Sequence, residues 1–275
     1  VNDIKSFVEP FITYDNPVEY EGLKVYAIRV KDWLRFISAY DILAIDKTQI
    51  SDIEIIQMSY LQYMMQLIIA DDRCKDMFLT ILDLCFHVRY DNAFYNKDFD
   101  KNEVLSFLDE DTGATAIYIN GYNMYFFIEN KYRVSIYIDG HLINATQFND
   151  VIKIIQFQNF YDFDDTVLSD DVRKVIEQYY AIKNKGKKMP SLDTKIISVM
   201  AKLSYTKNEI KEMDYRTFNK IFAMMLEDED YNISHLYKVQ GADINIEHWV
   251  YKEDKPKYSE VFSSADEFRR KIESI

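Results

Sequence analysis

The chain has 275 residues, 48% hydrophobic and 15% aromatic, enough apolar surface to offset the ordering entropy of one large domain or two smaller ones, so intrinsic disorder is excluded. The formal charge of −13 argues against general nucleic-acid binding, which needs clustered Lys and Arg to neutralise phosphates. Six glycines and four prolines are about a third of the usual share, and Gly113 and Gly121, the closest glycine pair, lie too far apart for a Gly-rich phosphate loop.

Residues 1–19, with Pro10 and Pro17, read as an irregular lead-in without the apolar stretch of a secretory leader. Alternation over Leu23 to Val30 predicts a strand. Asp32 is a candidate N-cap for a helix carrying Trp33, Phe36 and Ile37. Ser51 or Asp52 opens a long apolar-periodic run through Met58, Leu61, Met64 and Ile68. A third helix is predicted over Asp76 to Val88. Cys74 and Cys85 fall on one helix about 16 Å apart at 1.5 Å per residue, too far for a disulfide.

After a polar stretch rich in Asn and Asp, the period changes from helical to alternating. Four β-rich runs follow, at 114–120, 124–128, 132–138 and 141–143, and Asp139 with Gly140 marks a type I′ hairpin. From Thr146, a candidate cap, the pattern is helical again. Further helices are expected after Ser169, after Ser191, after Asp214 (running beyond Tyr231) and after Ser264. Residues 183–188 form a Lys-rich linker. The expected fold is therefore α+β, predominantly helical with a central antiparallel meander of three to four strands. Residues 1–144 form an N-terminal α+β region ending in the meander, and residues 145–275 form a C-terminal helical region.

The residues that could carry chemistry are few. His87, His141, His235 and His248 lack metal-ligand spacing. Asp98, Asp100 and Asn102 resemble the start of a calcium loop, but Glu103 replaces its glycine and Asp109 its bidentate glutamate, so a solvated acidic loop is the better reading. The cluster Asp162, Asp164 and Asp165 has no matching acid–base partner in sequence, and the cysteines carry no nucleophile signature. No catalytic, cofactor or metal set emerges, and a non-enzymatic protein is expected. The candidate partner-binding residues are Tyr118, Tyr122, Tyr125, Phe127, Tyr132 and Tyr137, which fall on both faces of the meander. One face would be covered by helices while the other meets a partner.

A family likeness rests on several segments. These are Met189 to Ile196, Leu203 to Thr206, Tyr215 with Phe218 and Phe222, Ile246 to Trp249, Val25 to Ile28 and Met58 to Leu61. Together they resemble acidic helical proteins from the tail-morphogenesis regions of large tailed bacteriophages, that is, tail assembly chaperones or minor virion components. The likeness covers about half of the chain. It implies binding work without catalysis and supplies no site residues. The expectation is a tail assembly chaperone that binds another protein, a phage tail component, in the host cytoplasm or the virion. Neither direct nucleic-acid binding nor membrane association is expected. The alternatives are an acidic inhibitor or polyanion mimic of a host or defence protein, a minor structural component of the virion, or an enzyme with an acidic site between Asp98 and Asp109.

Overall fold

The computed structural model describes residues 3–45, 47, 52–108, 110, 113–130, 133–163, 176, 178–179, 181–182, 190–241, 243–244, 246 and 248. The chain forms two compact units: Val1–Phe163 with Asn208–Phe218, and Asp164–Lys207 with Asn219–Ile275. The helices expected after Ser169 and Ser264 and the basic linker lie outside the described residues.

The first unit is α+β. It opens with α1 (Ile4–Thr13), where an irregular lead-in was expected. Asp3 caps it through the Ser6 N–H, and Pro10 sits within it, so the two prolines misdirect a reading based on helix breakers alone. The predicted strand from Leu23 to Val30 is shorter, as β2 (Leu23–Val25), and pairs antiparallel with β1 (Val18–Tyr20). The turn between them puts Glu21 and Gly22 at φ +52° and +81°. A Cβ on Gly22 would lie 2.6 Å from the His141 ring, which would have to move, and the left-handed φ adds strain for any other residue there.

Four helices follow: α2 (Trp33–Ala39), α3 (Ile53–Gln57), α4 (Tyr60–Ala70) and α5 (Asp72–Phe86). The long apolar run after Asp52 is two helices rather than one. Asp52 caps α3 and Ser59 caps α4 through the Gln62 N–H, so the chain restarts at Ser59. The third predicted helix begins earlier than expected because Asp71 caps α5 through the Arg73 N–H. It ends at His87 in the left-handed region at φ +58°. Cys74 and Cys85 both lie on α5, and both are free thiols.

The expected meander is present, with one additional strand in front. Its order is β3 (Val104–Leu108), β4 (Thr115–Ile119), β5 (Met124–Asn130), β6 (Arg133–Ile138) and β7 (His141–Asn144), all antiparallel neighbours. Asp139 and Gly140 join β6 to β7 with φ +45° and +90°, as a type I′ turn requires. Helix α6 (Ala145–Asn159) starts immediately after β7. Its cap is Asn144 rather than Thr146. The Asn144 side chain accepts from the Thr146 and Gln147 N–H groups, and Gln147 answers by accepting from the Asn144 N–H, closing a capping box.

One sheet face is the floor of the core. Ile117, Ile119, Met124, Phe126, Val134, Ile136, Ile138 and Ile143 are all buried. Helices α4 and α6 pack against β6, and Phe78 of α5 meets the Phe126 ring at 5.8 Å. Two amides fix α6 to the hairpin side of the unit. Asn159 accepts from the Ile28 N–H at 2.8 Å and donates to the Ile155 carbonyl, while Gln158 donates to the Val25 carbonyl. Residues 208–218, which include all of α8 (Lys207–Glu212) but its first residue, return to the same unit. There Tyr215 stacks on Trp33 at 3.4 Å, its N–H donates to the Ile28 carbonyl, and the Val30 N–H donates to the Met213 carbonyl.

In the second unit, α7 (Leu192–Leu203) is capped by Ser191, as expected; α9 (Tyr215–Val239) starts within residues 208–218 and continues past Tyr231. Asp214 accepts from the Thr217 N–H at 2.7 Å, the cap expected for this helix. Lys195 donates to Asn219 at 2.9 Å and Lys202 pairs with Glu229 at 2.7 Å, tying α7 to the later turns of α9.

Because Asn159 and the Ile28 N–H are buried partners, Asn159→Ala leaves an unsatisfied donor in the core. A loss of about 1–3 kcal/mol is expected, read as a lower urea midpoint at unchanged slope.

Candidate functional site: the aromatic face of the sheet

The sheet's second face is built from the alternate residues of the same strands. The register sets Leu105 opposite Tyr118, Tyr118 opposite Tyr125, Tyr125 opposite Tyr137 and Tyr137 opposite Leu142. This single row crosses five strands. The Tyr118 and Tyr125 rings lie 5.0 Å apart at 36°, and Tyr125 and Tyr137 stack at 4.6 Å and 16°. Phe107 meets Tyr118 edge-on at 5.7 Å. The ends of the face are open: Phe107 is 47% exposed and Leu142 56%.

The candidate aromatics on strands β4 to β6, Tyr118, Tyr125, Phe127 and Tyr137, therefore lie on one face, with Phe126 on the other, which corrects the expectation of a split between two. Strand register decides the face, and the sequence does not print the register. Tyr118, Tyr125 and Tyr137 are brought together. Phe127 shares their face one row over, opposite Ala116 and Ser135. Tyr122 is in the β4–β5 turn, beyond Tyr118 and Tyr125 along the strands. Tyr132 lies outside the described residues.

A groove of about 560 Å³ runs along this row, walled at one end by Phe94, Asn96, Tyr122 and Asn123. The wall is held by Asn120, which is 2% exposed. Its Oδ1 accepts from the Asn96 N–H at 2.8 Å, and its amide NH₂ donates to the Asp100 carbonyl at 2.8 Å and the Asn96 carbonyl at 3.1 Å. The β4–β5 turn is also bonded to this segment, since the Asp91 N–H donates to the Gly121 carbonyl and the Gly121 N–H to the Phe94 carbonyl. Gly121 has φ +89°, and a Cβ there would lie 2.2 Å from the Tyr90 ring, so its lack of a side chain lets Tyr90 close against the turn. Lys101 covers the same ring at 4.2 Å. The sequence reading missed Phe94, Phe107 and Asn120, although the run Val104 to Leu108 has the β-rich composition of a short strand.

Desolvation shapes the protonation of this face. Burial, then the neighbouring Tyr118 and Tyr137, push the Tyr125 hydroxyl above its usual value. Tyr122 is raised by burial first, then by Asp83, Asp76 and Tyr90. Both remain neutral donors at physiological pH. The side chains lining the groove are uncharged, with tyrosine hydroxyls and asparagine amides as their polar component.

A second, polar pocket of about 330 Å³ lies between the early loops and α5. Its charges engage one another. Arg29 pairs with Asp15 at 2.9 Å, and Arg35 and Arg89 both grip Asp83, at 2.7 and 2.6 Å. His87 stacks on Tyr26 at 3.7 Å. Burial, then Arg89, hold its pKa below the usual 6.5, against the opposing pull of Asp83. This arrangement is a network of ion pairs with no nucleophile–base geometry. Among the described residues, no group of three His, Cys, Asp or Glu side chains is placed to hold a metal ion, and no helix is long and apolar enough to cross a membrane. Near the candidate calcium loop, the Asp100 N–H donates to the Glu103 carboxylate, and Asn102 stands at φ +61°.

The architecture is thus an α+β unit with a five-stranded antiparallel meander, helices on one face and an open aromatic row on the other. Compared with models of known protein families, with curated proteins and with solved structures, the chain matches none.

Two outcomes follow from this geometry. Asn120→Ala releases the groove wall, which is read as faster hydrogen exchange at the Asn96 amide and a stability loss of about 1–3 kcal/mol. The depressed His87 pKa contributes stability that is present above pH 6.5 and lost as pH falls through the folded-state value. His87→Gln is expected to flatten the stability profile between neutral and mildly acidic pH.

Proposed function

We propose that this protein is a non-enzymatic binding protein whose aromatic sheet face covers an apolar, aggregation-prone segment of another protein. The single observation that carries this reading is the open row of Phe107, Tyr118, Tyr125 and Tyr137 on a sheet whose opposite face is packed into the core. A half-exposed aromatic row flanked by exposed Phe107 and Leu142 and lining a groove needs a reason, and partner binding is a common one. Tyrosines suit that work because they supply contact area with few rotamers to freeze and a hydroxyl for the polar rim.

The arrangement of the rings narrows the partner class. A platform for nucleobases needs an open ring face. Tyr125 has Tyr118 against one face and Tyr137 against the other, so the centre of the row offers a ring edge and a hydroxyl outward and no open face for a base. The −13 charge disfavours polyanions as well. A polypeptide, which packs side chains between edges and bonds to hydroxyls, fits both facts. High net charge would keep a complex with an insoluble partner in solution. These properties are those of an assembly chaperone, and the likeness to tail-morphogenesis proteins directs the proposal to a phage tail component in an infected cell.

The experiment is co-expression with the structural proteins encoded beside the gene, comparing the natural chain with the Tyr118→Ser, Tyr125→Ser, Tyr137→Ser variant. The expected result is that the natural chain holds one of those proteins soluble and that the variant, still folded, loses at least tenfold in affinity, about 1.4 kcal/mol. Equal binding by both chains refutes the role of the face.

A further inference from the structure

The free edge of β3 is the second unusual feature of the sheet. Among the described residues, strand β3 is terminal in the strand order and pairs with β4 alone. The Asn120 N–H donates to the Glu103 carbonyl at 2.8 Å. Residues 103 and 120 are opposite each other by continuation of the β3–β4 register, so they form a hydrogen-bonded pair. Antiparallel alternation then turns Leu105 and Phe107 towards β4, and the backbone N–H and C=O groups of Val104, Ser106 and Leu108 away from the sheet. Ser106 is exposed and Leu108 is 66% exposed. The opposite edge, β7, is only four residues long and passes directly into α6, which makes β3 the better template.

Edge strands are usually protected by Lys, Pro, bulges or a covering element. Here the strand itself, Val104 to Leu108, carries none of the first two, and the protection is acidic and placed at its ends. Asp98, Asp100 and Glu103 precede it and Glu110 follows it, all exposed, against Lys97 and Lys101 on the same segment. Lys101 is drawn over the Tyr90 ring. In sequence, Asp109 and Asp111 continue the acidic run.

We infer that an extended segment of the partner, apolar at alternate positions and flanked by Lys or Arg, adds to β3 as a sixth strand. This rests on the reading of the aromatic face as a protein-binding surface and specifies how the partner is seated there. Side chains of the added strand opposite Leu105 and Phe107 extend the aromatic rows by one position, at the 4.7–4.9 Å spacing of neighbouring strands. Main-chain hydrogen bonds to Val104, Ser106 and Leu108 supply affinity, and the acidic ends select basic flanks. The same charges oppose a second copy of this chain. Antiparallel pairing of two β3 strands brings the acidic residues before one copy's strand, Glu103 among them, beside those after the other's, Glu110 among them. Like charges facing each other across a strand pair are destabilising.

The test uses the full chain and a labelled peptide with alternating Val and Thr in its centre and paired Lys at each end. Fluorescence anisotropy is expected to show binding that weakens with salt and falls at least tenfold when Glu replaces the terminal Lys residues. Slower amide exchange is expected at Val104, Ser106 and Leu108 in the complex. Ser106→Pro, which removes an outward N–H, and the Glu103→Lys, Glu110→Lys pair are each expected to cost at least tenfold. Circular dichroism checks both variants, and the charge pair decides if Ser106→Pro does not fold. No peptide binding, or equal binding by the folded variants, overturns strand addition. If the triple tyrosine variant nonetheless loses the co-expressed partner, the aromatic-face reading stands without it. A concentration-dependent dimer of the natural chain that Ser106→Pro abolishes makes a second copy the occupant and also overturns the inference.

Discussion

The period-two alternation of β4, β5 and β6 is the constraint on which the rest depends. It divides the same three strands into a face of Ile, Met, Val and Phe and a face dominated by Tyr. The first is buried against α4, α5 and α6, where Ile136 and Ile138 are fully enclosed. Burying these side chains contributes about 1.5–3 kcal/mol each, so the register is held firmly from below. A slip by one residue would exchange the faces, putting tyrosine hydroxyls into the core and isoleucines into water. The helices therefore fix the aromatic row from the opposite face of the sheet.

The two ends of the face are held differently. At the loop end, Asn120 and the Gly121 turn bond a segment with little regular structure onto the sheet, replacing packing with a set of buried hydrogen bonds. Such a wall keeps its shape only while each donor finds its acceptor. At the β7 end the capping box of α6 stops the sheet abruptly, because Asn144 is both the last strand residue and the helix cap. Between them the rings pack on one another, which limits their rotamers before any partner arrives.

Much of this was legible in the sequence. The meander, its Asp139 and Gly140 turn, the helix starts at Asp52 and Ser191 and the helical reading of α5 follow from local chemistry that acts over a few residues. The missed elements have non-local causes. Helix α1 survives two nearby prolines, Pro10 within it and Pro17 beyond it, and its residues Ile4 and Val8 are buried by the rest of the unit. Strand β3 is short and acidic at both ends, and becomes a strand by pairing with β4. The tyrosines were identified as candidates by their abundance, but their collection on one face is a property of register. Asn120 gave no sequence signal, since one asparagine beside a glycine usually means a turn and here also binds a distant loop.

The return of residues 208–218 to the first unit has a consequence for how the chain becomes a protein. Tyr215 covers Trp33, and the main chain around Met213 and Tyr215 bonds to Ile28 and Val30. A ribosome releases these partners nearly two hundred residues after the groups they cover. Until then the indole of Trp33 lacks its lid and the Ile28 carbonyl and Val30 amide are left to solvent. The N-terminal unit thus cannot finish folding in the order in which it is synthesised, and its closure must wait for a segment interrupted by forty-four residues that belong elsewhere, 164 to 207.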